Sequence, residues 1–248
     1  MDIVEERVKH GVVERRFDLK VGSEVVPGVL WLPEGADGAR PKVLFGHGGS
    51  QHKKVAHIPS FAKRLAAHGW ASVAIDAPGH GDRAPEEDRQ VDATERALRA
   101  GKRLRSLSGA ELKQRQIQVV AEWQATIDAV EKLPDVGDAP TGYWGVSMGT
   151  IFGVPLLAAE PRISCAVLGL MGIGGGGRTY ADKAATITIP LQFLVQWQDE
   201  LMPPDRGVAL YEAFGSEEKM LIGNQGAHAA VPPHVFEVND AFYQRHLG

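Results

Sequence analysis

Five residues of the sequence, Gly145-Val146-Ser147-Met148-Gly149, form a G-x-S-x-G pattern. This pattern is typical of a serine at a sharp turn between a strand and a helix. The apolar run Thr141–Val146 predicts the strand, and Gly149–Ala159 predicts the helix. Glycine on either side of the turn leaves room for neighbouring chains, and the helix N-terminus favours negative charge that develops there. Ser147 is therefore a candidate nucleophile.

A serine hydroxyl is a weak nucleophile until a base takes its proton, and histidine does this near neutral pH. Among nine histidines, His228 lies in a loop directly after the last predicted strand. Asp199 follows the preceding strand, and we expect it to orient His228. Glu200 and Asp205 are the alternatives, although Asp205 is better placed to cap a helix. The chain order Ser, Asp, His differs from the orders of the chymotrypsin and subtilisin folds.

Acyl transfer also needs N–H donors at the position where the oxyanion forms. The backbone N–H of Met148, directly after the nucleophile, is the first predicted donor. The second is expected in the loop His47-Gly48-Gly49-Ser50, with Gly49 as first choice and Ser50 as second. We expect the ring of His47 to hold this loop in place.

Short apolar strands alternate with amphipathic helices along the chain, which predicts an α/β fold with a largely parallel sheet covered on both faces. The eight predicted strands are Val12–Leu19, Glu24–Leu32, Lys42–Gly46, Ala71–Asp76, Thr141–Val146, Ser164–Leu170, Leu191–Gln196 and Lys219–Gly223. The predicted helices are Ile58–His68, a helix from a capping box at Ser108 to about Leu133, Gly149–Ala159, Pro204–Phe214 and Pro233–Leu247.

The composition is that of a globular protein, with 248 residues, 44% hydrophobic and 23% charged. We expect one domain over residues 1–248. The net charge of −4 argues against nucleic acid or an anionic membrane as a partner. The single cysteine, Cys165, and an N-terminus without an apolar signal core predict a cytoplasmic protein, and no apolar run reaches the ~20 residues of a spanning helix.

Taken together, these segments resemble the α/β-hydrolase superfamily, in particular its small single-domain members of the dienelactone hydrolase or acyl-esterase type. The resemblance spans about residue 24 to the end and rests on the segments 46–49, 76–81, 145–149, 199–203 and 225–228. It implies an eight-stranded, mostly parallel sheet whose first two strands are antiparallel to the rest. Two positions depart from the family pattern. Ser147 stands where dienelactone hydrolases have cysteine, which favours ester chemistry, and Trp197 replaces the usual glycine.

The function expected from these residues is hydrolysis of a small-molecule carboxylic ester through an acyl-enzyme, without a cofactor or metal. A thioesterase, an amidase or peptidase, an acyltransferase and a carbon–carbon bond hydrolase would use the same triad, and the fold does not choose among them. A non-catalytic binding protein on the same scaffold is the alternative of another class. The sequence does not indicate an oligomeric state.

Two further segments carry other signals. Gly172–Gly177 matches G-x-G-x-x-G, but we expect no helix after it and therefore interpret it as a loop near the active site, not a dinucleotide site. Residues 83–115 hold 9 of the 27 lysines and arginines, interleaved with acids. This segment is either a solvated helical face or a small helical cap inserted after the fourth strand.

Overall fold

A computed structural model describes residues 1–173 and 178–248. Contacts divide the chain into two compact units, residues 1–139 and 140–248. The described residues form nine strands and eight α-helices. None of the described helices is both long enough and apolar enough to cross a membrane. The prediction of one domain over residues 1–248 stays a prediction.

The first unit contains five strands in the order β1-β2-β3-β5-β4. They are β1 (Asp2–Lys9), β2 (Val12–Val21), β3 (Glu24–Pro33), β4 (Lys42–Gly46) and β5 (Ala71–Ile75). The first three form an antiparallel meander, β3 is antiparallel to β5, and β4 is parallel to β5. The expected hairpin between β2 and β3 is present, but of these two strands only β3 is antiparallel to β4 and β5, because β2 reverses direction once more and runs the same way as they do. β1 is one strand more than the eight predicted, because its charged and largely exposed residues lack the apolar pattern of a buried strand.

Four helices belong to the first unit: α1 (His57–Ala67), α2 (Glu86–Arg89), α3 (Ala93–Ser106) and α4 (Gly109–Val130). Ser108 begins α4 with the predicted capping box, in which its hydroxyl and the Glu111 carboxylate each bind the other residue's backbone N–H. Asp92 caps α3 by accepting from two backbone N–H groups. The charged segment 83–115 is therefore mostly helical.

The second unit contains β6 (Thr141–Val146), β7 (Ile163–Gly169), β8 (Leu191–Gln196) and β9 (Lys219–Asn224), which pair in this order and are all parallel. Its helices are α5 (Met148–Leu157), α6 (Arg178–Ala185), α7 (Pro204–Ala213) and α8 (His234–Leu247). Parallel strands place their carboxyl ends at one edge, where the loops after β6, β8 and β9 begin.

Two adjacent residues of β6 show that helices cover both faces of this unit's sheet. The hydroxyl of Tyr143 donates to the carbonyl of Gly149 in α5, whereas the indole N–H of Trp144 donates to Asn239 in α8. Since successive side chains of a strand point to opposite faces, α5 and α8 lie on opposite sides.

Helix α6 begins at Arg178, where we expected no helix after the glycine-rich segment. That expectation was wrong. The hydroxyl of Tyr180 donates to the carbonyl of Thr150, and Ala184 is fully buried, so tertiary contacts stabilise a helix that the sequence pattern did not reveal. Residues 174–177 lie outside the described residues, so the interpretation of these glycines as a loop stays a prediction.

Candidate active site

Ser147 lies at the turn between β6 and α5 with backbone angles φ 56° and ψ −117°. Positive φ is uncommon for a residue with a side chain and costs free energy. A Cβ at Gly145 would lie 2.9 Å from the carbonyl oxygen of Gly149, so the turn requires a glycine there. The backbone N–H of Ser147 donates to the carbonyl of Gly169 at 2.8 Å. The G-x-S-x-G pattern thus forms the strained strand–helix turn that it predicts.

The side chain of Thr150 holds this turn against the neighbouring strand. Its fully buried hydroxyl oxygen lies 2.9 Å from the carbonyl oxygen of Gly145 and 2.7 Å from that of Gly169. The same oxygen accepts from the backbone N–H of Gly169 at 2.9 Å. One hydroxyl therefore connects the ends of β6 and β7 to the first turn of α5.

The structure brings the three predicted catalytic side chains together. Nε2 of His228 lies 3.0 Å from Oγ of Ser147, and Nδ1 lies 2.7 Å from Oδ2 of Asp199. The Asp199 side chain is 2% exposed and the His228 side chain 14% exposed. With its proton on Nδ1, the imidazole donates to Asp199 and leaves Nε2 free to accept the serine proton.

The loop that carries Asp199 orients the carboxylate through its own backbone. Oδ1 of Asp199 accepts from the N–H groups of Leu201 and Met202, both at 2.8 Å. These bonds occupy one oxygen and leave Oδ2 for the imidazole. A carboxylate fixed in this way holds its partner ring in one tautomer and one orientation.

The loop that carries His228 is attached to the end of β8 by polar contacts. Gln198 donates its backbone N–H to the carbonyl of Gly226 at 3.2 Å. Gln196 donates its side-chain amide to the carbonyl of Ala227 at 3.0 Å. Few apolar contacts are available to this loop, because Gln225, Ala227, Ala229 and Ala230 are all exposed.

Trp197, which replaces the glycine usual in the family, extends the pairing of the last two strands. Its backbone N–H donates to the carbonyl of Asn224 at 2.8 Å. Its indole covers Gly223, where an added Cβ would lie 2.6 Å from the ring. The departure at position 197 is thus matched by a glycine on the neighbouring strand.

The surroundings of Glu200 and Asp205, the alternatives to Asp199, differ from those of Asp199. Asp205 lies in the first turn of α7, whose N-cap is Pro203, and it makes no side-chain cap. The expectation that Asp205 caps this helix was therefore wrong. Glu200 is exposed, and its carboxylate accepts from the backbone N–H of His228 at 2.9 Å. Among the described residues, only Asp199 bonds the His228 ring nitrogen opposite the serine.

Met148, the first predicted oxyanion donor, is the first residue of α5. The N–H groups of the first helical turn have no acceptor within the helix. The N–H of Met148, the residue directly after Ser147, therefore lies at the positive end of the helix dipole.

Gly49 and Ser50, the alternatives for the second donor, belong to a tight turn in the first unit. Nδ1 of His47 lies 2.9 Å from the carbonyl oxygen of Gly48, and Nε2 of His80 lies 2.9 Å from that of Gly49. Because a carbonyl and the following N–H share one rigid peptide plane, the two histidines fix the N–H directions of Gly49 and Ser50. Their assignment as donors stays a prediction.

The ring of His47 holds the loop as expected. Its Nε2 accepts from the backbone N–H of Ala77 at 3.0 Å, which leaves the proton on Nδ1 for the carbonyl of Gly48. Burial is the main cause that lowers the pKa of His47 to about 3, and the nearby His80 is the second, so the ring is neutral. His47 is thus a fixed structural element of this turn.

The charged segment 83–115 is organised around a buried carboxylate and packs on the same turn. Asp88 is fully buried and forms ion pairs with Arg99 and Arg103 of α3. At Gly101 of α3, an added Cβ would lie 2.5 Å from Oγ of Ser50. A wholly solvated helical face does not describe this segment, whose role as a cap stays a prediction.

Three residues that shape these sites were not predicted from the sequence, namely Thr150, Gln196, and Glu200 as a partner of His228. The signals were weak. A threonine three residues after the nucleophile, a glutamine that ends an apolar strand and an acid next to Asp199 are common in any sequence. The contacts that give them a role join segments far apart in the chain.

Solved structures of esterases are similar to the whole chain. A cold-adapted esterase from an Arctic intertidal metagenomic library is 37% identical over 100% of both chains, with a TM-score of 0.82. An acetyl xylan esterase from Paenibacillus sp. R4 is 16% identical over 99% of this chain and 88% of its own, with a TM-score of 0.75. A dienelactone hydrolase from Anabaena variabilis is 19% identical over 96% of this chain and 100% of its own, with a TM-score of 0.67.

The last two similarities concern the fold, and they confirm the predicted α/β-hydrolase class. The first is close enough to show common ancestry along the full length. No protein-family model and no curated protein sequence matches the chain.

Proposed function

The chain belongs to the α/β-hydrolase superfamily, among the dienelactone hydrolase-like esterases, and we propose that Ser147, His228 and Asp199 carry out its ester hydrolysis. The observation that carries this assignment is the continuous hydrogen-bonded chain from the serine hydroxyl through the imidazole to the carboxylate. Such a chain is the arrangement by which an enzyme activates a serine.

In the first half-reaction, Nε2 of His228 takes the proton of Ser147 while Oγ attacks the carbonyl carbon of the ester. The new C–O bond forms as the carbonyl π bond opens to an oxyanion. The Asp199 carboxylate stabilises the imidazolium produced in this step. As the tetrahedral intermediate collapses, the alkoxide leaves with the proton from Nε2, and the acyl group remains on Ser147.

In the second half-reaction, His228 takes a proton from water as that water attacks the acyl carbon. Collapse of the second intermediate returns this proton to Oγ of Ser147 and releases the carboxylic acid. The triad ends in its starting protonation state. No step requires a cofactor or an oxidant.

We assign stabilisation of the oxyanion to the backbone N–H of Met148, with the N–H of Gly49 as the second donor and that of Ser50 as the alternative. The helix N-terminus at Met148 supports the first assignment. The second rests on the sequence, because the glycine-containing loop after a strand is where this family places its donor. Fixed N–H directions in the 48–50 turn are compatible with this role.

The substrate class that we propose is a small-molecule carboxylic ester. The nearest alternatives, a thioester, an amide or transfer to an acceptor other than water, differ only in the leaving group or in the group that removes the acyl chain. The serine at position 147 favours an oxygen ester over dienelactone chemistry. A cytoplasmic location and a specificity-setting role for residues 83–115 are further parts of the proposal.

The test is steady-state hydrolysis of p-nitrophenyl esters with acyl chains of increasing length. The wild type is expected to hydrolyse at least the short members, and Ser147→Ala is expected to lower kcat by roughly 10³-fold or more, because it removes the nucleophile. Circular dichroism and the melting temperature of Ser147→Ala serve as the control for folding. Equal rates for the two proteins would exclude Ser147 as the nucleophile.

A further inference from the structure

The backbone of His228 has an acidic partner besides the carboxylate on its ring. Oε2 of Glu200 accepts from the backbone N–H of His228 at 2.9 Å, while Oδ2 of Asp199 binds Nδ1 of the same residue. Two consecutive carboxylates thus hold the backbone and the ring of one histidine. The glutamate lies outside the sequence pattern of a catalytic triad.

The Glu200 carboxylate is restrained although its side chain is exposed. The pKa of Glu200 is lowered most by its hydrogen bond to the backbone N–H of His228 and next by the bond to its own backbone N–H. The carboxylate is therefore charged near neutral pH. A side chain that bonds both its own loop and the facing loop links the two.

Around this contact, the His228 loop is held by few groups. The carbonyls of Gly226 and Ala227 accept from Gln198 and Gln196, and both donors are neutral. Glu200 supplies the one charged hydrogen bond to this loop's backbone among the described residues. Hydrogen bonds to charged groups are about twice as strong as neutral ones.

We infer that Glu200 is a positioning residue for His228, fixing the backbone of the base and favouring its protonated form through its negative charge. This inference rests on the proposed function, because it acts through the proton transfers of the triad. An imidazolium forms in both half-reactions, so a second negative charge nearby stabilises both. Within the described residues, the Glu200 carboxylate forms no hydrogen bond with Ser147.

The charged hydrogen-bond partners of His228 come from a single loop. Within the described part of the chain, its hydrogen-bond partners are Ser147, Asp199 and Glu200. The next charged residues along the chain, Asp205 and Arg206, belong to α7 and form no hydrogen bond or ion pair with His228 there. Asp199 is unchanged in the Glu200 variants, so a difference between their pH profiles and that of the wild type reports the charge at position 200.

The experiment compares the pH dependence of kcat/KM for the wild type, Glu200→Gln and Glu200→Ala on one p-nitrophenyl ester. In Glu200→Gln the amide oxygen still accepts the bond but the charge is absent. We expect its plateau rate within about threefold of the wild type. Its acid-side half-maximum should move to lower pH by about 0.3–0.6 units, because protonated His228 loses a stabilising charge.

Glu200→Ala removes the bond as well as the charge. We expect the same acid-side displacement together with a roughly 3- to 10-fold lower kcat and little change in KM. In both variants the shift of the acid-side half-maximum should be smaller in 1 M salt. The Debye length is then about 3 Å, so the interaction between exposed charges is screened. The melting temperature should stay close to that of the wild type, since Glu200 is exposed.

Glu217→Gln is the matched control, because Glu217 is exposed and the substitution makes the same change in net charge away from the triad. Its profile should superimpose on the wild type. A Glu200→Gln profile that also superimposes on the wild type overturns the proposal, even if Glu200→Ala is slow. The proposed function fails separately, if the wild type shows no hydrolysis that depends on Ser147.

Discussion

The turn that carries the nucleophile and the loop that carries the base belong to the same compact unit, but different forces hold them. At Ser147 the surrounding atoms are buried, and the hydroxyl of Thr150 ties two strand ends to the helix. At His228 the neighbouring residues are exposed, and side chains from the end of β8 and the following loop hold the backbone.

The difference separates stability from activity. Contacts at the nucleophile turn are part of the core, so their loss lowers the free energy of unfolding. Contacts at the base loop hold a segment of largely exposed residues, so their loss changes the position and charge of one imidazole while the core stays packed. Substitutions in the two regions should therefore be distinguishable by comparing melting temperature with kcat.

Asp199→Asn should have the largest effect on activity. The amide removes the charge that stabilises the imidazolium and no longer requires a proton on Nδ1, so we expect kcat to fall by roughly 10³–10⁴-fold with little change in KM. The measurement is steady-state hydrolysis of the preferred aryl ester. Asp205→Asn, the alternative acid, is the control, and a larger loss in Asp205→Asn would contradict the assignment.

Thr150→Val tests the nucleophile turn. The substitution conserves shape but leaves the buried backbone groups around Gly145 and Gly169 without their shared partner, so we expect a loss of about 1–3 kcal/mol in the free energy of unfolding. Urea denaturation measures it. Thr126→Val is the matched control, because Thr126 is also fully buried and bonds a single carbonyl, that of Glu122. Equal losses would mean that Thr150 has no special role.

Gln196→Met tests the base loop and should have the smallest effect. Methionine fills the space but cannot donate to the carbonyl of Ala227, so we expect kcat to fall by roughly 3- to 10-fold. In the described structure Oε1 of Gln196 is buried without a hydrogen-bond partner, so the unfolding free energy should change by less than about 1 kcal/mol. A large loss of stability with unchanged kcat would contradict the proposed difference between the base loop and the nucleophile turn.

The sequence predicts most of the fold in this protein because the strands are short, apolar and bounded by turns. The bounds of β4, β6 and β8 match the predicted ones residue for residue. β1 was missed since an edge strand need not be apolar, and α6 was missed since its helix depends on the contact of Tyr180 with Thr150.

The residues of the candidate site likewise divide into those that the local sequence pattern predicts and those that depend on distant contacts. The nucleophile turn is predictable because its local backbone geometry demands glycine and serine at fixed spacing. Asp199 and His228 are predictable from their positions after successive parallel strands. Glu200 and Gln196 are not, because their roles depend on which backbone groups of a distant loop meet their side chains.

The proposed mechanism requires that Ser147 be a nucleophile activated by His228. Its most direct test is labelling with a fluorophosphonate probe, with the modified peptide located by mass spectrometry in the wild type, Ser147→Ala and His228→Ala. We expect a single adduct on Ser147, absent from Ser147→Ala and formed much more slowly in His228→Ala. A folded wild type that stays unlabelled, or an adduct on another residue, would contradict it.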